Sequence, residues 1–491
     1  MQNLNESLQA KYPHLELAIL PLSQVNKDNE SKRIDSEYFK KEYLENEERL
    51  LNLNCEVLGQ ITEKICNGST PENGEFEKQG IPFFRSQDFN LLDTDPKQYV
   101  TKDFHNTLLR SKVKHKDILI AIIGATLGKI GFIKENILEA NINQNIAKVS
   151  IKDEKFNPYF VATFLDTYYG QYQIFRLATQ TAQEYLNNIQ VSKIKIPLFP
   201  KPFQLEIEKF VKQSHEALED SKRLYKEAQE LLYKELGLDF KNPLESLLKS
   251  SLQAKKASKT TNINDVSKKY PHLNISVRPL SKSLYKSGRL DSEYYQSKYD
   301  LMETKIKDYK GGYCKLQPSE IKDSNFTPKA QEKYRYIELA SIGNNGNISE
   351  PLEDFGENLP TRARRKVKTD DFIMSSIEGS LASCALITPE FDNCLVSTGF
   401  YVLNSAQLNG ETLLVLFKCE FFQEYLRKFP SGTILTAISK DELQNILIPK
   451  INPTTQEQIA LKIQKSFTLR TKSKDLLQNA KIKLENAIEN G

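Results

Sequence analysis

Arg85, Ser86, Gln87 and Asp88 follow the apolar run Ile81-Pro-Phe-Phe84. Arg and Gln are the side chains that pair with guanine and adenine edges in the major groove, and both also reach phosphates. The competing reading is a solvated loop with an internal Arg–Asp pair. Arg362, Arg364, Arg365, Lys366 and Lys368 form the densest basic run of the second half. Several cations in a short run suit phosphate contact with counterion release; the alternative is a solvated face.

Other motifs point away from chemistry. Gly124-Ala-Thr-Leu-Gly128-Lys129 suggests a phosphate loop, but three residues separate its glycines where four are needed. Ile130 also stands where a Ser or Thr would hold Mg²⁺. It reads as a tight turn. Asn157-Pro-Tyr159 approaches the Asn/Asp-Pro-Pro-aromatic pattern of amino-methyltransferases, but the second proline is missing and no glycine-rich S-adenosylmethionine loop precedes it. Asn157 reads instead as a helix cap before Pro158. Glu320-Ile-Lys322 has the form of a nuclease Glu-x-Lys, a triplet that chance supplies in a chain rich in both residues. The five histidines (His14, His105, His115, His215, His272) lack metal-ligand spacing. The six cysteines lie far apart without a C-x-x-C pair and read as isolated reduced thiols. No catalytic residue and no metal site is assigned.

The elements that would position these side chains fall into two kinds. Residues 52–200 alternate short β-branched runs with Gly, Pro and Asn, a texture of strands and turns. Within them Ile81–Phe84 and 117–123 read as strands, and 158–176 as a helix. Residues 312–450 return to that texture. Each such region is followed by a long helix, from Pro202 to about Leu236 and from Thr455 to about Ile488. Ile207, Val211, Leu218, Tyr225 and Leu232 follow a 4-3 spacing with Ser214, Ser221 and Ala228 between them. Ile459, Ile463, Leu477 and Leu484 do the same with Ser466, Arg470, Ser473 and Ala480, at an offset of 252. This is a coiled-coil seam. Its small residues let two backbones approach closely, so the two helices are expected to pack on each other.

The chain also repeats itself. Lys11-Tyr-Pro-His-Leu, Pro21-Leu-Ser and Arg33-Ile-Asp-Ser-Glu-Tyr38 return as Lys269-Tyr-Pro-His-Leu, Pro279-Leu-Ser and Arg289-Leu-Asp-Ser-Glu-Tyr294. Asp35 and Asp291 stand 256 positions apart. Helices are expected over 33–51 and from 290 to about 309. His14 and His272 are equivalent, so a shared structural role is expected of them. The framework is therefore duplicated, while the inserts at 52–190 and 312–440 share little sequence. That suits a device that reads two different things at a fixed separation. The boundaries are 1–200 for a first domain, 201–238 for its helix and 239–268 for a Lys/Ser/Ala linker. A second domain at 269–452 and its helix at 453–491 follow.

Length and composition agree. A chain of 491 residues exceeds the roughly 250–300 that one core supports. At 39% hydrophobic and 27% charged residues, each half can bury a core. A net charge of +4 is not that of a broadly basic protein, so nucleic-acid contact must come from local patches. No run approaches the ~18 apolar residues of a membrane span, and the N-terminus lacks a signal-peptide core. A cytoplasmic location is expected.

The arrangement resembles the specificity subunit of type I restriction–modification systems. The first insert is similar to a target recognition domain through Gly68-Ser-Thr-Pro71, 80–88, 116–119, 124–129 and Asn143-Gln-Asn-Ile146. The second resembles a variant of it through Tyr336-Ile-Glu-Leu339, 364–368, 371–376 and Val396-Ser-Thr-Gly-Phe400, without the G-x-T-P and G-A-T-x-G-K phrases. The resemblance implies an α+β fold with two mixed α/β target recognition domains, two long helices forming an antiparallel coiled-coil spacer, and a pseudo-two-fold internal repeat. It implies a non-catalytic subunit that reads a bipartite, asymmetric target in double-stranded DNA. Thr70, Thr126, Lys129, Gln144 and Arg335 join the candidate DNA contacts above. Two methyltransferase subunits and restriction/translocase subunits would be the partners, with S-adenosylmethionine, ATP and Mg²⁺ on those partners only. A helix of about 35 residues spans roughly 50 Å, about 15 base pairs, which is a ceiling on half-site separation. The alternatives are a specificity subunit of a type IIB-like complex, a self-contained DNA adenine methyltransferase, and a two-headed protein-interaction scaffold.

Overall fold

A computed structural model describes residues 2–15, 17, 19–26, 29, 32–71, 76–179, 183–247, 279–432 and 436–491. The phrase Lys269-Tyr-Pro-His-Leu, with His272, and the linker stretch 248–268 lie outside them. The chain divides into two compact units. The first comprises residues 1–220 and 469–491, the second 221–468.

In the first unit the strands are β1 (Cys55–Val57), β2 (Cys66–Asn67), β3 (Ile81–Phe84), β4 (Gln98–Val100), β5 (Ile118–Ala121), β6 (Ile130–Phe132), β7 (Asn141–Ile142), β8 (Ile146–Val149) and β9 (Lys195–Pro197). They form sheets of order β2-β8-β5-β6 and β4-β3-β7 and a small antiparallel pair β1-β9. β5 is Ile-Leu-Ile-Ala, buried throughout. A strand apolar on both faces belongs in a sheet interior, and β5 has a partner on each side. β3 and β7 run parallel, Phe84 opposite Ile142.

The second unit holds β10 (Tyr313–Cys314), β11 (Ile321–Lys322), β12 (Lys333–Ile337), β13 (Leu352–Phe355), β14 (Ala363–Lys366), β15 (Phe372–Ser375), β16 (Cys384–Leu386), β17 (Leu395–Ser397), β18 (Phe400–Leu403) and β19 (Ile448–Pro449). Its sheets are ordered β11-β18-β15-β16 and β13-β12-β17-β14, with β10-β19 as the small pair. β12 and β17 are the parallel neighbours, Ile337 opposite Val396. Strand for strand this is the order of the first unit, with β14 added at one edge. Two inserts with little common sequence thus share one pairing scheme, because burial pattern rather than residue identity specifies a sheet.

The helices depart from the sequence expectation at their starts. The segment 33–51 is not one helix. A 3₁₀ turn at Ser36–Phe39 precedes a helix at Lys41–Leu51. Asp35 caps the turn by accepting from the Tyr38 amide at 3.1 Å, and so competes with helical bonding. Asp291 does the same to the Tyr294 amide at 3.0 Å, and the following helix is shortened to Ser297–Lys307. The stretch 158–176 is likewise two helices, Pro158–Leu165 and Tyr168–Leu177, because Thr167 caps the second. Asn157 is the cap expected of it, accepting from the Tyr159 amide at 2.9 Å.

The repeated phrase makes the same clamp in each unit. Arg33 pairs with Asp35 through two bonds of 2.7 and 2.6 Å and donates to the carbonyls of Arg176 and Ala178. Tyr38 lies between the guanidinium groups of Arg33 and Arg176, at 4.9 and 4.7 Å. Arg289 pairs with Asp291 at 2.7 and 3.0 Å and donates to the carbonyls of Phe429 and Pro430. Tyr294 lies between Arg289 and Lys428, at 4.4 and 4.7 Å. Ile34 and Leu290, inside the two phrases, are 86% and 68% exposed.

The long helices are Lys201–Leu236 and Pro453–Glu489. Each passes from one unit to the other. In the first unit Ile207, Val211 and Leu218 are buried with Leu477, Ala480 and Leu484. The Ser214 and Ser473 hydroxyls each donate to the other's carbonyl, at 2.7 and 2.6 Å, and Lys483 meets Glu206. In the second unit Tyr225, Ala228 and Leu232 are buried, as are Ile459 and Ile463. There the Ser221 and Ser466 hydroxyls meet at 2.9 Å, and Lys462 meets Glu227. Low numbers on one helix thus meet high numbers on the other within each unit. Arg470, a seam position by spacing, is half-buried. No helix among the described residues is long and apolar enough to cross a membrane.

Candidate nucleic-acid interface

Parallel strands release their chains at the same sheet end, so β3 and β7 deliver Arg85 and Asn143-Gln144 side by side. The Asn143 amide donates to the Phe84 carbonyl at 3.0 Å. The strap 68–70 lies across this end, with the Gly68 amide on the Asn143 carbonyl and the Ser69 amide on the Ile142 carbonyl. A Cβ on Gly68 would fall 1.7 Å from the Ile142 oxygen, so only glycine allows the strap to lie so close. Thr70 donates to the Gln144 side-chain oxygen. The turn after β5 joins them through the Ile122 amide on the Asn145 carbonyl at 3.0 Å. It carries Thr126 and leads to Lys129. Gly124 and Gly128 have φ of +59° and +84°, which explains the glycines of this turn.

Four loops therefore converge on one end of the first unit. Thr70, Gln87, Lys129 and Gln144 are exposed there. Arg85 is held by Asp88 in a fork of 2.8 and 3.0 Å, the internal pair that the sequence allowed. The Asp88 side chain is 2% exposed and that of Arg85 30%. The hydrogen bond that Arg85 donates to Asp88 raises its pKa, so its charge is secure. A guanidinium has five donors and this fork uses two of its N–H groups, leaving three outside it on a side chain that is part exposed. Asp88 thus acts as a bracket for Arg85. Ser86 differs from the expectation: it is buried, because it faces inward between Arg85 and Gln87. Thr126 is half-buried and turns its hydroxyl onto the Ile123 carbonyl at 3.2 Å.

The second unit has the corresponding end. Glu338 follows β12, Thr398 follows β17, and the turn 376–380 follows β15. The Ser376 amide donates to the Gly399 carbonyl and the Thr398 amide to the Arg362 carbonyl. A Cβ on Gly399 would sit 3.4 Å from Ile377 and 3.6 Å from Leu339, so these turns meet there. Glu338, Arg362, Glu378 and Thr398 are exposed at this end.

The basic run does not gather into one patch. Only Arg362 belongs to the loop cluster. Arg364 donates to the Thr361 carbonyl. Arg365 turns inward onto the Phe400 carbonyl and the Tyr401 ring, where burial lowers its pKa. Lys366 lies over Phe326, and Lys368 reaches Asn393 at the opposite end of the strand. Arg335 donates to the Glu390 carbonyl at 2.7 Å and packs over Phe391, also away from the cluster. Strand geometry causes the dispersal, since successive side chains alternate faces and four residues span more than 10 Å. Glu338, Glu378 and Thr398 were not among the sequence candidates. They sit in phrases without charge runs, and only the strand order brings them together.

Residues 56–229 match the family model for the type I restriction modification DNA specificity domain. The chain is similar to the type I restriction enzyme EcoBI specificity subunit of Escherichia coli, with 29% identity over 151 residues. The match takes in 30% of this chain and only 31% of that protein. Among solved structures it is similar to the type I restriction–modification S subunit from M. genitalium, with 12% identity and a TM-score of 0.40. That match covers 89% of this chain and 96% of the other. The HsdS subunit from Thermoanaerobacter tengcongensis aligns over the same shares at 13% identity and a TM-score of 0.28.

Proposed function

We propose that this chain is the DNA-reading subunit of a type I restriction–modification complex. The observation that carries this is the pairing of one strand order with two unlike loop clusters. The specificity-domain match over 56–229 supports it for the first unit. Each unit reads one half of a bipartite target from the major groove, and unlike loops imply unlike half-sites. Thr70, Arg85, Gln87, Thr126, Lys129 and Gln144 serve the first half-site, and Arg362 the second. Arg364, Lys366 and Lys368 are left to phosphate contact at the flank.

The two long helices form an antiparallel coiled coil that spaces the readers, and the chain is a pseudo-two-fold repeat. The opposed contacts within each unit and the duplicated Arg-Asp-Tyr clamp support that reading. The clamps, which share their Arg, Asp and Tyr, offer two docking places to two copies of one methyltransferase subunit. Catalysis, S-adenosylmethionine, ATP and Mg²⁺ belong to the partners, which include a restriction/translocase subunit. The isolated chain should bind no S-adenosylmethionine.

The test is the modified motif of the reconstituted complex carrying Arg85→Ala. One position of one half-site should relax, with discrimination falling about 10–100-fold, as expected for loss of a paired guanine contact. The other half-site should not change. An unaltered motif removes Arg85 from the reading set.

A further inference from the structure

Glu338 occupies the place in the second unit that Arg85 occupies in the first. Each follows the strand that pairs with one antiparallel and one parallel neighbour. Each opens a single turn, closed by the Asp88 amide on the Arg85 carbonyl at 2.9 Å and the Ser341 amide on the Glu338 carbonyl at 3.1 Å. The chemistry at the two places is inverted. Arg85 offers only donors and Glu338 only acceptors. Arg85 is bracketed by a carboxylate, whereas Glu338 is exposed, makes no ion pair among the described residues, and shares a capping box with Ser341, its side chain turned toward that turn's amide and its own amide donating to the Ser341 hydroxyl at 3.4 Å. A second exposed carboxylate, Glu378, lies in a neighbouring turn of the same cluster.

An exposed carboxylate facing DNA, with lone pairs beyond those its capping box uses, is repelled by phosphates and by the acceptors N7 and O6 of guanine and O4 of thymine. It is favourable only where a donor meets it. In the major groove the donors are the exocyclic amino groups, and a carboxylate suits cytosine N4. Arg362, whose carbonyl binds the Thr398 amide beside this turn, supplies a cation for the adjoining backbone.

Building on the DNA-reading function above, we propose that Glu338 is a specificity-determining residue that accepts a hydrogen bond from the N4 amino group of a cytosine in the second half-site. It selects against thymine and guanine at that position by acceptor–acceptor repulsion. The two units then read opposite hydrogen-bond polarity from equivalent positions.

The experiment maps the methylated motif of the complete complex with wild-type chain, Glu338→Gln and Glu338→Arg. Wild-type should specify a C·G pair in the second half-motif. Glu338→Gln keeps the shape but adds donors, so preference at that pair should fall about 10–100-fold. Glu338→Arg should favour guanine on the contacted strand, and the first half-motif should stay intact in both. A second half-motif unchanged by Glu338→Gln overturns the proposal, as does relaxation at an A·T pair. If a variant complex methylates nothing, its binding is selected from duplexes randomised in the second half-site. Retained preference for cytosine there overturns the proposal, and loss of it alone supports the proposal. A wild-type motif that is not bipartite overturns the DNA-reading function itself, which separates the two failures.

Discussion

Inserting four residues into each long helix, after Leu218 and after Thr468, shifts modification to a target whose gap is one or two base pairs longer. The helices carry residues of both units, and their opposed contacts pair Ser214 with Ser473 and Ser221 with Ser466. Insertions at these points add equal length to both helices of the proposed spacer. Four residues add about 6 Å of rise, and base pairs are spaced at about 3.4 Å. The four residues also advance the helix phase by about 40° beyond a full turn, while one to two base pairs turn the duplex by roughly 35–70°. Rise and rotation therefore point to the same change. The seam absorbs a four-residue stutter by local unwinding. Modification of the original target should fall more than about 100-fold, because only one reader can then engage, and a mismatched base pair alone costs ~1–3 kcal/mol. The check is methylation of a duplex series that differs only in gap length. An unshifted optimum shows that the helices do not set the spacing.

If the proposed docking holds, Ile34→Asp and Leu290→Asp should each leave an assembly with one methyltransferase subunit in place of the two proposed for the unaltered chain. Both side chains stand exposed within a clamp whose Arg, Asp and Tyr are otherwise engaged, so neither supports its own unit by burial. Covering one such side chain contributes about 1.5–3 kcal/mol, and a carboxylate in its place also costs desolvation. Loss of affinity at the altered place should be about 100-fold. Mass measurement of the purified complex counts the subunits, and the double variant should retain neither. Two subunits still bound to the double variant would falsify docking at the clamps.

The sequence carried the architecture further than it carried the interface. Repetition of Arg33-Ile-Asp and Arg289-Leu-Asp pointed to a duplicated frame, whose two phrases make like contacts in the two units, and the 4-3 spacing located both long helices to within two residues. Local competition hid what it missed there. Asp35 and Asp291 draw amides away from helix formation, and Thr167 restarts a helix that composition alone runs straight through. At the interface, side-chain type said what a residue could bind but not where it points. Arg365 and Ser86 are near in sequence to exposed residues and face inward because a strand alternates and a tight turn reverses. Glu338 was invisible because its importance lies in the strand order of the second unit, which its unlike sequence does not display. Arg85 was legible, yet its bracket Asp88 gives it a fixed direction that no motif records.

Methylation mapping of a host that carries this chain together with the proposed methyltransferase and restriction partners tests most directly whether it holds two readers at a set distance. Two short, unlike half-motifs separated by a fixed unspecified gap are the predicted result. A continuous palindromic motif contradicts it.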